Sequence, residues 1–220
     1  MRPIAKENLS ERAYAQLRSA LMHGQLKPGE RLLLRPMSER FGISATPMRE
    51  ALLRLVSEKA LALDARGTVV VPTLTLEQLL EIRSIRLDLE GRAAAEAARI
   101  ASNEAITELE EIHARISECH RTGAFARAVN LNTAFHLQLC ESGKLPIVLE
   151  IVERLWVRCG PILSHLYDAG VPDWEPHPHL RIIAALRARD PEGARAGIQE
   201  DIERGGKGLL DHVRSAREED

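Results

Sequence analysis

Residues 35–67 read RPMSERFGISATPMREALLRLVSEKALALDARG, and this stretch decides the first domain. Phe41-Gly42-Ile43-Ser44 marks a tight turn between two helical segments. Thr46 offers a side-chain oxygen as N-cap, and Pro47 suits the first helical position, where a missing N–H is not needed. The helix predicted from Pro47 carries Met48, Ala51, Leu52, Leu55 and Val56 at i, i+3, i+4, i+7 and i+8. That spacing makes one apolar stripe and leaves Thr46, Arg49, Glu50 and Leu53 on the other side. Ala60 to Pro72 then holds two short β-prone runs broken at Arg66-Gly67. Helix, turn, helix and hairpin in this order predict a winged helix-turn-helix, whose second helix is shaped to enter a DNA major groove.

Charge follows the same division. Positions 1–72 hold 12 basic against 7 acidic residues, and positions 73–220 hold 18 against 25. A basic first third suits a polyanion, and the acidic remainder does not. The chain has no uninterrupted apolar run of the roughly 18 residues a membrane span needs. Its charged N-terminus, MRPIAKENLSERAYAQLRSAL, lacks a signal-peptide core, so a cytoplasmic location is expected. Cys119, Cys140 and Cys159 show no CxxC spacing and read as small buried hydrophobes.

Residues 8–23 form a predicted helix, capped by Ser10, with Ala13, Leu17, Ala20 and Leu21 facing inward. Pro72 to Thr75 closes the wing, and Thr75 caps the next helix. The expected organisation is a winged helix over 1–72, a linker over 73–76 and a second domain over 77–220. Beyond the linker every long segment has helical period. Breakers divide it into about six helices, near 76–100, 103–121, 124–141, 145–169, 177–189 and 191–213. The second domain is therefore expected to be an all-helical bundle, kinked at Gly160-Pro161.

The ordered elements GQLKPGERL, SATPMREALLRL and RGTVVVP resemble the DNA-binding domain of GntR-type bacterial transcription regulators. That resemblance implies DNA contacts from Arg35, Ser44, Thr46, Arg49 and the wing Gly67. Arg49 suits a bidentate contact to a guanine edge, and a wing glycine lets backbone approach the minor groove. One departure is Ala45, where the family usually carries arginine.

The helical remainder resembles the FCD ligand-binding domain of the FadR subfamily, through RLDLE at 86–90, NTAFH at 132–136 and HLRIIAAL at 179–186. In many such domains an Asp and three His hold a divalent metal. The matching positions here are Asn132, His136, His179 and Asp201. Asn132 and His136 share a helix face four residues apart, while the other two come from separate helices. Two nitrogens and two oxygens suit Zn²⁺, Ni²⁺ or Mn²⁺. His177 is an alternative ligand, and His113, His120, His165 and His212 read as surface residues.

Arg86 lies beside the apolar stripe Ile82, Leu89 and Ala93 and needs an anionic partner. That partner is either a small carboxylate effector, which the resemblance favours, or Glu90 one turn on. The resulting expectation is a homodimeric regulator, a repressor, whose affinity for a palindromic operator is controlled by a small organic or sugar acid. Two alternatives are a metal-dependent hydrolase and a DNA-binding protein without ligand response. Arg49→Ala is expected to abolish specific operator binding while leaving the thermal melting profile unchanged, as read by footprinting and circular dichroism.

Overall fold

The computed structural model describes residues 9–167 and 176–218. Its first domain runs α1 (Leu9–Met22), β1 (Arg31–Leu32), α2 (Leu34–Phe41), α3 (Ala45–Ser57), β2 (Ala62–Leu63) and β3 (Val69–Val70). Ser10, expected as the cap of α1, lies inside it. The strands pair antiparallel in the order β1-β3-β2, with Arg31 opposite Val70 and Leu63 opposite Val69. Asp64 shapes the wing turn, since its Oδ1 accepts from the backbone N–H of Arg66 and of Thr68. Gly67 follows at φ 75°, a left-handed conformation that costs glycine little. Leu17, Leu21, Leu32, Met48, Leu55 and Leu61 fill the small core beneath.

Helix α3 starts two residues earlier than the capping pattern predicts. Ser44 occupies the N-cap position without a side-chain cap bond, and Thr46 and Pro47 sit inside the first turn. Proline is accommodated there because first-turn N–H groups have no intrahelical acceptor. The inner stripe is as the spacing predicts for Met48, Ala51, Leu52 and Leu55, all buried, and Val56 is half-buried.

The second domain contains α4 (Leu76–Ile100), α5 (Asn103–Thr122), α6 (Phe125–Ser142), α7 (Pro146–Cys159), α8 (Pro178–Arg187), α9 (Pro191–Gly205) and α10 (Lys207–Glu218). Thr75 and Gln78 close a reciprocal capping box at the start of α4. The predicted helix over 191–213 is in fact two, α9 and α10, divided at Gly205-Gly206, where two poor helix formers adjoin. The predicted helix over 145–169 ends at Cys159 and tightens into a 3-10 turn over Gly160–His165; residues 168 and 169 lie outside the described residues. Pro161 explains the change, since it cannot donate into an α-helical ladder.

Helix α4 is the axis of the bundle and packs on α9, α6 and α7. The C-terminal half of its buried face includes Ala93, Ala94, Ala97 and Ala98, small side chains that let neighbouring backbones approach. Bulk comes from elsewhere, chiefly Phe135 and Trp156. All three cysteines are buried and unpaired among the described residues.

The two domains meet where α1 lies on the start of the 3-10 turn. A Cβ on Gly160 would stand 2.1 Å from the Leu21 carbonyl oxygen and 2.8 Å from Met22 Cα. Arg18 on α1 adds an ion pair to Glu153 on α7 at 2.8 Å. Gly160→Ala must therefore separate α1 from the bundle. It is expected to cost about 1–3 kcal/mol, measured as a lower melting temperature, and to speed proteolysis within residues 72–75.

Candidate metal centre and DNA-reading face

The DNA-reading candidates lie together on the exposed side of the first domain. Ser44, Thr46 and Arg49 are exposed at the start of α3, and Arg49 and Gly67 line one groove between α3 and the wing. Arg35 is almost fully exposed at the start of α2, where it pairs with Glu39 at 3.2 Å. A surface ion pair of this kind contributes little to stability and is readily exchanged for a phosphate. Leu53 and Leu63 flank the groove, both about half exposed.

A polar centre is buried in the helical domain, and it is built around His136 on α6. Its Nδ1 is 2.6 Å from Glu90 Oε2 on α4, and its Nε2 is 2.9 Å from Asp201 Oδ2 on α9. None of the three side chains is more than a few per cent exposed. Burial alone would push His136 toward neutrality, but Glu90 and Asp201 on either side raise its pKa above the ordinary value. Glu90 responds in the opposite sense. Burial would raise its carboxyl, yet Arg86 and His136 hold it down, at about 2. Asp201 is likewise held well below the carboxylate range, against burial, by His179 and His136.

Arg86 answers the question its position poses. Its guanidinium donates to Glu90 Oε1 at 2.5 Å and lies 4.0 Å above the Trp156 ring. Trp156 Nε1 donates to the same carboxylate oxygen at 3.1 Å. Glu90 is thus the anion paired with Arg86 here. The cavity that Arg86 also lines, with Leu79, Ile82, Arg83 and Leu163, has a volume of only ≈ 30 Å³.

His179 on α8 completes the centre. Its ring stacks on Phe135 with centroids 3.7 Å apart, which fixes its plane. Its Nε2 lies 3.4 Å from Asp201 Oδ1. Ligand atoms of His136, His179 and Asp201 all fall within 4.8 Å of one another. Both ring nitrogens of His179, and Asp201 Oδ1, are buried without a hydrogen-bond partner. Buried polar atoms are rarely left unsatisfied, and His179 Nε2 and Asp201 Oδ1, facing each other beside His136, fit a cation. Glu90 then stands behind His136 as the carboxylate that orients a metal-binding imidazole. Asn132 is half-buried on α6, one turn before His136.

Of the four histidines expected at the surface, one lies inside and three lie partly inside. His113 is buried, and His120, His165 and His212 are half-buried. His120 Nε2 is 3.1 Å from the Tyr167 hydroxyl, and His165 stacks on His212 with centroids 3.9 Å apart. His113 belongs to the stripe Ile106, Leu109, His113 and Ile116, so its inward orientation was readable from helical spacing. Burial, then the neighbouring His179, depresses His113 to about 4 and His177 to about 3.

A winged helix joined to a helical bundle with a buried histidine and carboxylate centre defines a class of protein, the two-domain winged-helix transcription regulators. Residues 9–71 match the bacterial regulatory proteins of the gntR family, and residues 81–204 match the FCD domain. The chain belongs to the GntR family of bacterial transcription regulators, in its FCD-containing branch. It is 38% identical to the HTH-type transcriptional regulator McbR of Escherichia coli over 188 residues, 84% of this chain and 85% of that one. The solved structure of E. coli McbR/YncC superposes with a TM-score of 0.87 at 35% identity, over 94% of this chain and 99% of that chain. Similarity to the gluconate operon transcriptional repressor of Bacillus subtilis, 34% identical, spans 40% of this chain and 35% of that one. No helix among the described residues is long and apolar enough to cross a membrane.

Glu90→Gln removes the charge that neutralises buried Arg86 and orients His136. Breaking a buried ion pair on one side costs about 3 kcal/mol or more. A melting temperature lowered accordingly, with wild-type DNA affinity for the protein that remains folded, is the expected result.

Proposed function

We propose that this protein is a homodimeric repressor whose affinity for a palindromic operator is set by a small organic or sugar acid, bound at a divalent metal in the helical domain. The observation that carries the reading is the orphaned atoms on His179 and Asp201, residues whose ligand atoms group with one of His136 within 4.8 Å in a buried centre. His136, His179 and Asp201 would hold the ion, with Asn132 as a further oxygen donor. The donor set, two imidazoles and oxygen ligands, suits Zn²⁺, Ni²⁺ or Mn²⁺. When bound, the ion supplies a positive charge to which a carboxylate can coordinate. Asn132 stands where the family usually has Asp, and Asp201 where it has its last His, so one carboxylate remains in the set and its charge is the family's usual one.

The chain's own residues supply the rest. Glu90 accepts the Nδ1 proton of His136 and directs Nε2 inward. Arg86 and Trp156 hold Glu90 in place. Phe135 fixes the plane of His179. Cys159, at the end of the helix that carries Trp156, leads directly into Gly160, on which the DNA-binding domain rests. Ligand-induced movement of α7 therefore has a short route to α1. In the dimer two α3 helices would read half-sites about one DNA turn apart, with Arg49 as the principal base contact.

Metal analysis by plasma mass spectrometry, on untagged protein prepared without chelators, is the test. Close to one ion per chain is expected, with a melting temperature that falls on addition of EDTA. Organic acids should then shift operator affinity by about 1–3 kcal/mol in the metal-loaded protein only. Absence of metal, together with a melting temperature indifferent to EDTA, overturns the metal-centred reading.

A further inference from the structure

Adjoining the centre just described, and sharing His179 with it, lies a second histidine set. His113 from α5, His177 at the cap of α8 and His179 within α8 bring ligand atoms within 4.8 Å of one another. Their rings stand close, with centroids 5.0 Å apart for His113 and His177, 5.5 Å for His113 and His179, and 4.5 Å for His177 and His179. His113 Nδ1 and His179 Nδ1 are both buried without a hydrogen-bond partner. His113 and His179 are buried, whereas His177 is half-exposed, so the set runs from the solvent side toward the interior.

We infer that His113, His177 and His179 form a second cation position, distinct from the inner one and occupied in alternation with it by a borderline divalent ion. Three imidazoles select Zn²⁺, Ni²⁺ or Co²⁺ over Mg²⁺ and Ca²⁺, which prefer oxygen. Three protein ligands leave a fourth position open for water or an anion. Alternation follows from His179, the residue common to both sets. A neutral imidazole offers one lone pair, so it serves one ion at a time. Its Nε2 is turned to Asp201, at 3.4 Å, and its Nδ1 is the atom left for the outer set. His177 Nδ1 accepts the His179 backbone N–H at 3.1 Å, so binding an ion at that atom exchanges a helix-capping bond for a coordinate bond. The half-exposed His177 makes this outer position the entry to the inner one.

The experiment separates the two positions in the full-length chain. H136Q/D201N disables the inner position and leaves all three outer imidazoles. Titrated with Co²⁺ and followed by visible absorption, it is expected to bind one ion, and addition of H113Q/H177Q to that background should weaken binding at least about 100-fold. Failure of H136Q/D201N to bind Co²⁺ while melting cooperatively overturns the outer position, as does undiminished binding by the quadruple variant. Should H136Q/D201N not fold, H113Q/H177Q in the native chain carries the test. Loss of bound ion to EDTA should then slow by at least about tenfold, and an unchanged rate overturns the inference. An ion held by the native chain but not by folded H136Q/D201N defeats the outer position alone, whereas an ion held by neither defeats both readings.

Discussion

A histidine held between two carboxylates in the buried interior is the constraint on which the helical domain depends. His136 receives Glu90 at one ring nitrogen and Asp201 at the other, and each carboxylate needs further partners to be tolerable there. Arg86 and Trp156 provide them for Glu90, while His179 stands beside Asp201. Four helices, α4, α6, α7 and α9, are thereby fixed relative to one another by polar atoms as well as by packing. Direction distinguishes the two kinds of contact. Alanine against leucine permits many registers, whereas a carboxylate 2.6 Å from an imidazole nitrogen permits few.

The same arrangement divides the centre into a satisfied half and an unsatisfied half. Glu90, Arg86 and Trp156 complete one another's hydrogen bonding, so that half is structural without any ligand. His179 and Asp201 Oδ1 do not: His179 Nε2 faces Asp201 Oδ1, and its Nδ1 is the atom left for the second histidine set. A regulator needs a part that stays and a part that responds. Here the two share a single side chain, His136.

Much of this was legible in the sequence, and the parts that were not have physical reasons. The winged helix could be read because capping, turn and stripe signals are local and agree with one another. Arg86 and Glu90 could be paired from their four-residue spacing, but Trp156, which binds the same carboxylate, is 66 residues away from it and gives no local signal. His136, His179 and Asp201 were nameable only through resemblance, since three helices must assemble before they meet. His113 was misplaced because a histidine counts as polar in a periodicity argument, although its position within an apolar stripe marks it as inward. The division of the last helix was missed because a Gly-Gly pair inside a helical pattern lowers propensity without forbidding the helix.

The connection between the domains restricts what kind of motion can carry a signal. Val71 is tied to the segment just before β1 by its backbone bonds with Glu30 and Gly29, and Thr75 is tied to α4 by the capping box. Only Pro72, Thr73 and Leu74 remain between these anchors, and Leu74 is itself buried. A tether of three residues reaches about 10 Å at full stretch, too little for the reading head to travel. It can still turn. Under the regulatory reading proposed above, the operator would be gripped or released by a change of angle about this short pivot, with Gly160 as its bearing surface, and half-site spacing would be governed by rotation rather than by reach.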